Sequence, residues 1–159
     1  MIELEPGGQA PILSIAGMRR PVALIVEDDF HIAEFLAVVT RQVGYETQIA
    51  TSGQAALRQL LGTVPDLIIL DLVLPHLDGA DILSWVRKER RFAATRVIVV
   101  TAYFEATWQV HDQADVVLLK PIAVEQLCDL ASRLRPRAVE TDVEQHINPR
   151  ATSPAGDSC

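Results

Sequence analysis

Cysteine is scarce in this chain of 159 residues. The two present, Cys128 in an apolar repeat of helical period and Cys159 at the last position, give neither a disulfide framework nor metal-ligand spacing. A reduced, cytoplasmic setting fits that scarcity. Long apolar runs are also lacking. The stretch Ile12 to Met18 is too short and too interrupted for a signal peptide or a membrane span. Basic clusters are missing as well, and with a net charge of −7 and a pI near 5.0 a polyanionic partner such as nucleic acid is not expected. The histidines His31, His76, His111 and His146 show no metal spacing and are given no catalytic role, although His76 lies close in sequence to the carboxylate singled out below. What remains is 49% apolar and 22% charged, ordinary for a soluble globular protein, and long enough for one domain with a core plus tails.

The most informative stretch is DLIILDLVLPHLDG, Asp66 to Gly79. Four apolar residues, Leu67 to Leu70, run into a single carboxylate at Asp71, and Pro75 and Asp78-Gly79 then break the chain. A short apolar run bounded by turn residues reads as a strand buried on both faces. Asp71 then stands at the carboxyl end of a central strand, the edge where ligands bind in open α/β sheets.

The rest of the chain can be read around that strand. Residues 1–20 have no sustained period and read as a flexible leader, with an apolar patch at Ile12 to Ile15 that has the composition to dock somewhere. Val22 to Val26 is a second buried-strand run and stops at Glu27, Asp28 and Asp29, of which Asp29 is expected only to cap the helix that follows. That helix presents Ile32, Leu36, Val39 and Val43 and closes at Gly44. Tyr45 to Ala50 reads as an edge strand, and Ser52 caps a helix through about Leu61 that Gly62 ends. After the central strand come a helix from Ala80 to Arg90, a strand Arg96 to Thr101, and a weakly periodic segment Tyr103 to Gln113 that makes at best a short, irregular helix. A strand Val116 to Leu119 ends in Lys120-Pro121, and a final helix runs from Val124 to Leu134. Residues 136–159 are polar and aperiodic, and disorder is expected there. Five strands alternating with five helices over 21–135 predict a parallel, doubly wound α/β domain.

Four of the five strands end in polar groups: Glu27-Asp28, Asp71, Thr101 and Lys120. Parallel strands put these ends on one edge, so residues far apart in sequence converge. Three carboxylates held together repel one another unless a cation is present, and an all-oxygen set suits a hard ion such as Mg²⁺. Such an ion, an ammonium and a hydroxyl would orient and neutralise a transferring phosphoryl group, with Asp71 the best placed nucleophile. Trp85 and Trp108 read as packing residues, Trp108 being the better candidate for a partner contact.

VEDD at Val26 to Asp29, LDLVLPHLDG at Leu70 to Gly79, VVTA at Val99 to Ala102 and KPI at Lys120 to Ile122 together resemble the receiver domain of two-component response regulators. The resemblance covers about Pro21 to Arg135. It implies a flavodoxin-like sheet of strand order 2-1-3-4-5 and Asp71 as phosphoryl acceptor from a sensor histidine kinase or phosphotransfer protein. It further implies Mg²⁺ held by Asp28, Glu27, Asp71 and the Val73 carbonyl, Thr101 and Lys120 on the phosphoryl oxygens, and a cis Lys120-Pro121 bond. Two positions depart from the family's habit: Val117 stands where Tyr or Phe is common, and the stretch from Thr101 to Lys120 is short, so a shortened fourth helix is expected.

The leading expectation is a single-domain response regulator, since no length remains for an effector domain after Arg135. It would act on a downstream protein target or pass its phosphoryl group on within a phosphorelay, as a monomer or weak dimer, without catalysing turnover. Two other readings compete. A phosphohydrolase of the haloacid dehalogenase kind would need a second Asp where Val73 stands. A receiver-like interaction module would keep the fold and never be phosphorylated.

Overall fold

The computed structural model describes residues 19–137, and the expected docking patch Ile12 to Ile15 and most of the polar tail lie outside the described residues. Strands β1 (Val22–Val26), β2 (Glu46–Ala50), β3 (Leu67–Asp71), β4 (Arg96–Thr101) and β5 (Val116–Leu119) alternate with helices α1 (Phe30–Gln42), α2 (Gly53–Gly62), α3 (Gly79–Lys88), α4 (Phe104–Val110) and α5 (Val124–Leu134). The strands form one parallel sheet in the order β2-β1-β3-β4-β5, as expected. No described helix is long and apolar enough to cross a membrane.

The unbroken apolar runs are explained by helices on both faces. Along β3, Ile68 and Leu70 enter the core beneath α2 and α3, while Leu67 and Ile69 enter the core beneath α1 and α5. In β1 and β4 the same alternation puts Leu24, Val26, Val97 and Val99 on the first side and Ala23, Ile25, Ile98 and Val100 on the second. A strand with water on one face would instead alternate apolar and polar. Edge strand β2 does so, with Glu46 and Gln48 exposed.

The helix starts follow their caps. The Asp29 carboxylate accepts from the His31 and Ile32 amides, which holds its pKa below the usual carboxylate value, and Ser52 and Asp78 accept from Ala55 N and Ala80 N. α1 ends at Gln42, and Gly44 turns the chain at φ +93°, a left-handed conformation that favours glycine. α3 stops at Lys88, short of the expected Arg90. The backbone extends at Glu89 and a 3₁₀ turn at Arg90–Phe92 follows, which buries Phe92 against Trp85 with ring centroids 5.6 Å apart. Tyr45, expected in β2, instead precedes it and is buried, its hydroxyl donating to the Ala131 carbonyl at 3.1 Å; burial pushes its pKa up to about 12. Arg19, expected in the leader, belongs to the domain, because its guanidinium forms two hydrogen bonds to the Asp66 carboxylate at 2.9 and 2.8 Å.

Asp115, just before β5, ties the far end of the sheet together. It accepts from Val97 N, Arg87 and Arg96, each at 2.8 Å. Burial opposes its charge, but these donors outweigh burial and hold its pKa below 3.8. A depressed carboxylate stabilises the fold above its unfolded pKa and loses that contribution as pH falls through the folded value. Asp115→Asn is therefore expected to lose about 1–2 kcal/mol at pH 7, discounted for partial exposure. Urea unfolding of both chains checks this, and the gap should narrow as the pH drops below 3.8.

Candidate functional site

The parallel register brings the carboxyl ends of the central strands level: Val26 pairs with Leu70, Asp71 with Val100, and Thr101 with Leu119. Glu27, Asp71, Thr101 and Lys120, expected to converge, therefore meet at one edge. Asp71 is only 5% exposed and Glu27 only 1%. Lys120 Nζ donates to Asp71 Oδ2 and Glu27 Oε2, both at 2.7 Å, so one ammonium serves two buried carboxylates. Asp71 Oδ1 accepts from Val73 N at 2.9 Å, and Glu27 Oε1 from Asp29 N at 3.3 Å. The Asp71 oxygens are thus held by a backbone amide on one side and a cation on the other.

The charges do not balance. Glu27, Asp28 and Asp71 offer carboxylate oxygens within 4.8 Å of one another, against the single ammonium of Lys120. Burial raises the Glu27 pKa most, the Lys120 hydrogen bond pulls it back, and the Asp71 charge raises it again, with a net upward shift. Burial would lower the Lys120 pKa, but its hydrogen bonds and charge contacts with Asp71 and Glu27 prevail and raise it, so the ammonium stays protonated. Asp28 is exposed and makes neither a hydrogen bond nor a salt bridge among the described residues. A cluster with an excess of carboxylate oxygen and an unpartnered member at its mouth fits a hard divalent cation.

Thr101 is fully buried at the end of β4. Its Oγ1 accepts from Tyr103 N at 3.2 Å, and its proton has no acceptor among the described residues. Lys120 N bonds the Thr101 carbonyl at 2.9 Å, which couples the ends of β4 and β5, and the Lys120-Pro121 bond is cis as expected.

A family profile described as "Response regulator receiver domain" matches residues 23–132. The chain belongs to this family. It is thus the receiver domain of a two-component response regulator. Among its relatives, Response regulator ArlR of Staphylococcus haemolyticus is 36% identical over 107 residues, covering 65% of this chain and 48% of that protein. DNA-binding response regulator MtrA of Mycolicibacterium paratuberculosis is 30% identical over 121 residues, covering 76% and 52%. The receiver chain thus spans about half the length of the curated relatives it matches. A putative response regulator from Chloroflexus aurantiacus superposes with a TM-score of 0.68 at 30% identity, over 73% of this chain and 98% of that one.

Several features of the receiver site were not legible in its sequence. Gly79 sits so close to the end of β3 that a Cβ there would collide with the Asp71 carbonyl and lie 2.7 Å from Leu72 Cα. The only sequence signal was the Asp-Gly pair. His76 adopts φ 68° in the loop after β3, and nothing in a lone histidine announces that. A cleft of about 360 Å³ opens between that loop and α4, lined by Val73, His76, Tyr103 and Gln109 among others. Trp108 corrects the packing expectation: it is 68% exposed on the seven-residue α4, while Trp85 packs as expected. Val117 is half-buried against the α2–α3 core.

Proposed function

We propose that this receiver is a Mg²⁺-dependent phosphoryl switch that takes its phosphoryl group on Asp71 from the phosphohistidine of a histidine kinase or phosphotransfer protein. The observation that carries the reading is the Lys120 ammonium placed at 2.7 Å from both Asp71 and Glu27 beside an unpartnered Asp28. An Asp71 carboxylate oxygen attacks phosphorus, an O–P bond forms as the donor's N–P bond breaks, and the imidazole leaves with its electron pair. The Thr101 hydroxyl donates to one phosphoryl oxygen and Lys120 pairs with another. Glu27, Asp28, Asp71 and the Val73 carbonyl would hold the cation, which supplies positive charge against the crowded oxygens.

The receiver acts in the cytoplasm, and its output is contact with a protein. Its net charge of −7 supports a protein target over nucleic acid. It is no phosphohydrolase, because Val73 offers only hydrocarbon where that chemistry needs a proton donor. Phosphorylation changes the site by about −1.5 to −2 charges, enough to shift a surface equilibrium.

Intact-mass measurement after incubation with acetyl phosphate tests this. One phosphoryl adduct is expected in Mg²⁺ and essentially none in EDTA. A chain that stays unlabelled in Mg²⁺ would overturn the reading in favour of an interaction module that is never phosphorylated.

A further inference from the structure

The face of the sheet covered by α2 and α3 carries an apolar groove far from the carboxylate cluster in character. It has a volume of about 330 Å³ and is lined by Leu57 and Leu61 of α2, Leu77, and Ile82 and Trp85 of α3, with Asp81 its one charged lining residue. Arg91 joins the two walls, since its guanidinium lies 5.7 Å from the Trp85 ring centroid and donates to the Leu61 carbonyl at 3.1 Å. Leu61 is 66% exposed and Val64, three residues on, is 45% exposed. The apolar strip therefore continues from the groove toward the start of β3. At the end of that strip stands Asp66, and on Asp66 sits Arg19, held by two hydrogen bonds although its own side chain is largely exposed.

Arg19 is where the leader enters the domain. The residues before it, Pro11 to Met18, carry Ile12, Leu13, Ile15 and Met18 and no charge at all. Extended, the seven steps from Arg19 back to Ile12 reach about 25 Å, whereas the five steps from Asp66 back to Leu61 cannot exceed about 18 Å. The tether is long enough to lay the apolar segment along Val64, Leu61 and Leu57. Because the segment is attached, docking is intramolecular and acts at an effective concentration near the millimolar range.

We propose that the leader segment Ile12–Met18 docks in the α2–α3 groove, with the Arg19–Asp66 pair fixing its exit. It is an internal ligand of the domain, and Leu77 of the loop after β3 is the lining residue that the groove shares with the cleft described above.

The test uses the full chain. Hydrogen exchange at the α2 amides is compared between the native sequence and Ile12→Asp/Ile15→Asp, which leaves the described fold untouched. Loss of docking should speed exchange in α2 about tenfold. In a Trp108→Phe background, where Trp85 is the remaining tryptophan, the same change should move its emission to the red. A second arm places Ile15→Cys and Leu61→Cys in a chain carrying Cys128→Ser and Cys159→Ser, where a disulfide within one molecule is expected. Unchanged exchange and emission overturn the proposal. So does a disulfide found only between molecules, because the groove would then hold a second copy's leader.

Discussion

Asp71→Asn should take no phosphoryl group from acetyl phosphate under conditions that label the native chain. The carboxamide keeps the shape and still accepts the Val73 amide bond, but it has no anionic oxygen to attack phosphorus. Removing a nucleophile of this kind lowers rates by at least about 10⁴-fold, below detection by intact mass. A second signature separates this from unfolding. With Asp71 neutral, Lys120 serves Glu27 alone, and one of the charges that lifts the Glu27 pKa is gone. A carboxyl whose folded pKa is raised above 4.5 holds its proton more tightly in the folded state, so stability falls as pH rises from 4.5 through the folded value. That fall should be smaller in Asp71→Asn. Urea midpoints at pH 4.5 and pH 7 without divalent cation measure it. Thermal shifts with Mg²⁺ should also be weaker, since one of the carboxylates within the 4.8 Å cluster is lost. A labelled Asp71→Asn chain would move the acceptor elsewhere.

Much of this site could be read from the sequence because the fold writes it at strand ends. A buried parallel strand must be apolar throughout, so the first polar residue after it marks the sheet edge. Glu27, Asp71 and Thr101 obey this rule, Lys120 follows the apolar edge strand β5, and the sheet brings the four together as expected. The caps at Asp29 and Ser52 were legible for a similar local reason. What failed was set by tertiary contact. Phe92 ends α3 early because its ring fills the core beside Trp85, and no helical period records that demand. Trp108 looked like a core residue by type, but α4 has seven residues, fully buries only Val110 and packs Ala106 against the core, which leaves Trp108 on its outer side. Arg19 joined the domain through Asp66, forty-seven residues away, a distance at which sequence pattern says nothing.

Gly79→Ala should be the most damaging single methyl in the domain. Gly79 N donates to the Leu72 carbonyl at 2.9 Å, which brings the start of α3 against the last residues of β3. An added Cβ would collide with the Asp71 carbonyl, lie 2.7 Å from Leu72 Cα and 3.1 Å from the Asp71 carbonyl carbon. These are backbone atoms at the end of β3, where Asp71 pairs with Val100 of β4, and they cannot swing away as a flexible side chain would. Overpacking of this kind costs about 3 kcal/mol, a fall of roughly 10 °C in Tm for a domain of this size. Relief can come only by shifting β3's end or α3, and the first of these moves Asp71 relative to Lys120. A misplacement of about 1 Å lowers rates by about 100-fold, so phosphoryl transfer should slow even where the chain remains folded. Gly62→Ala is the contrast. It closes α2 with nothing within 4 Å of the added methyl, and alanine is the better helix former by about 0.5–1 kcal/mol, so that chain should be more stable. Melting curves and labelling rates on the two variants decide the matter. If Gly79→Ala were as harmless as Gly62→Ala, the close approach of α3 to the end of β3 would be wrong, and with it the rigid seat it gives to Asp71.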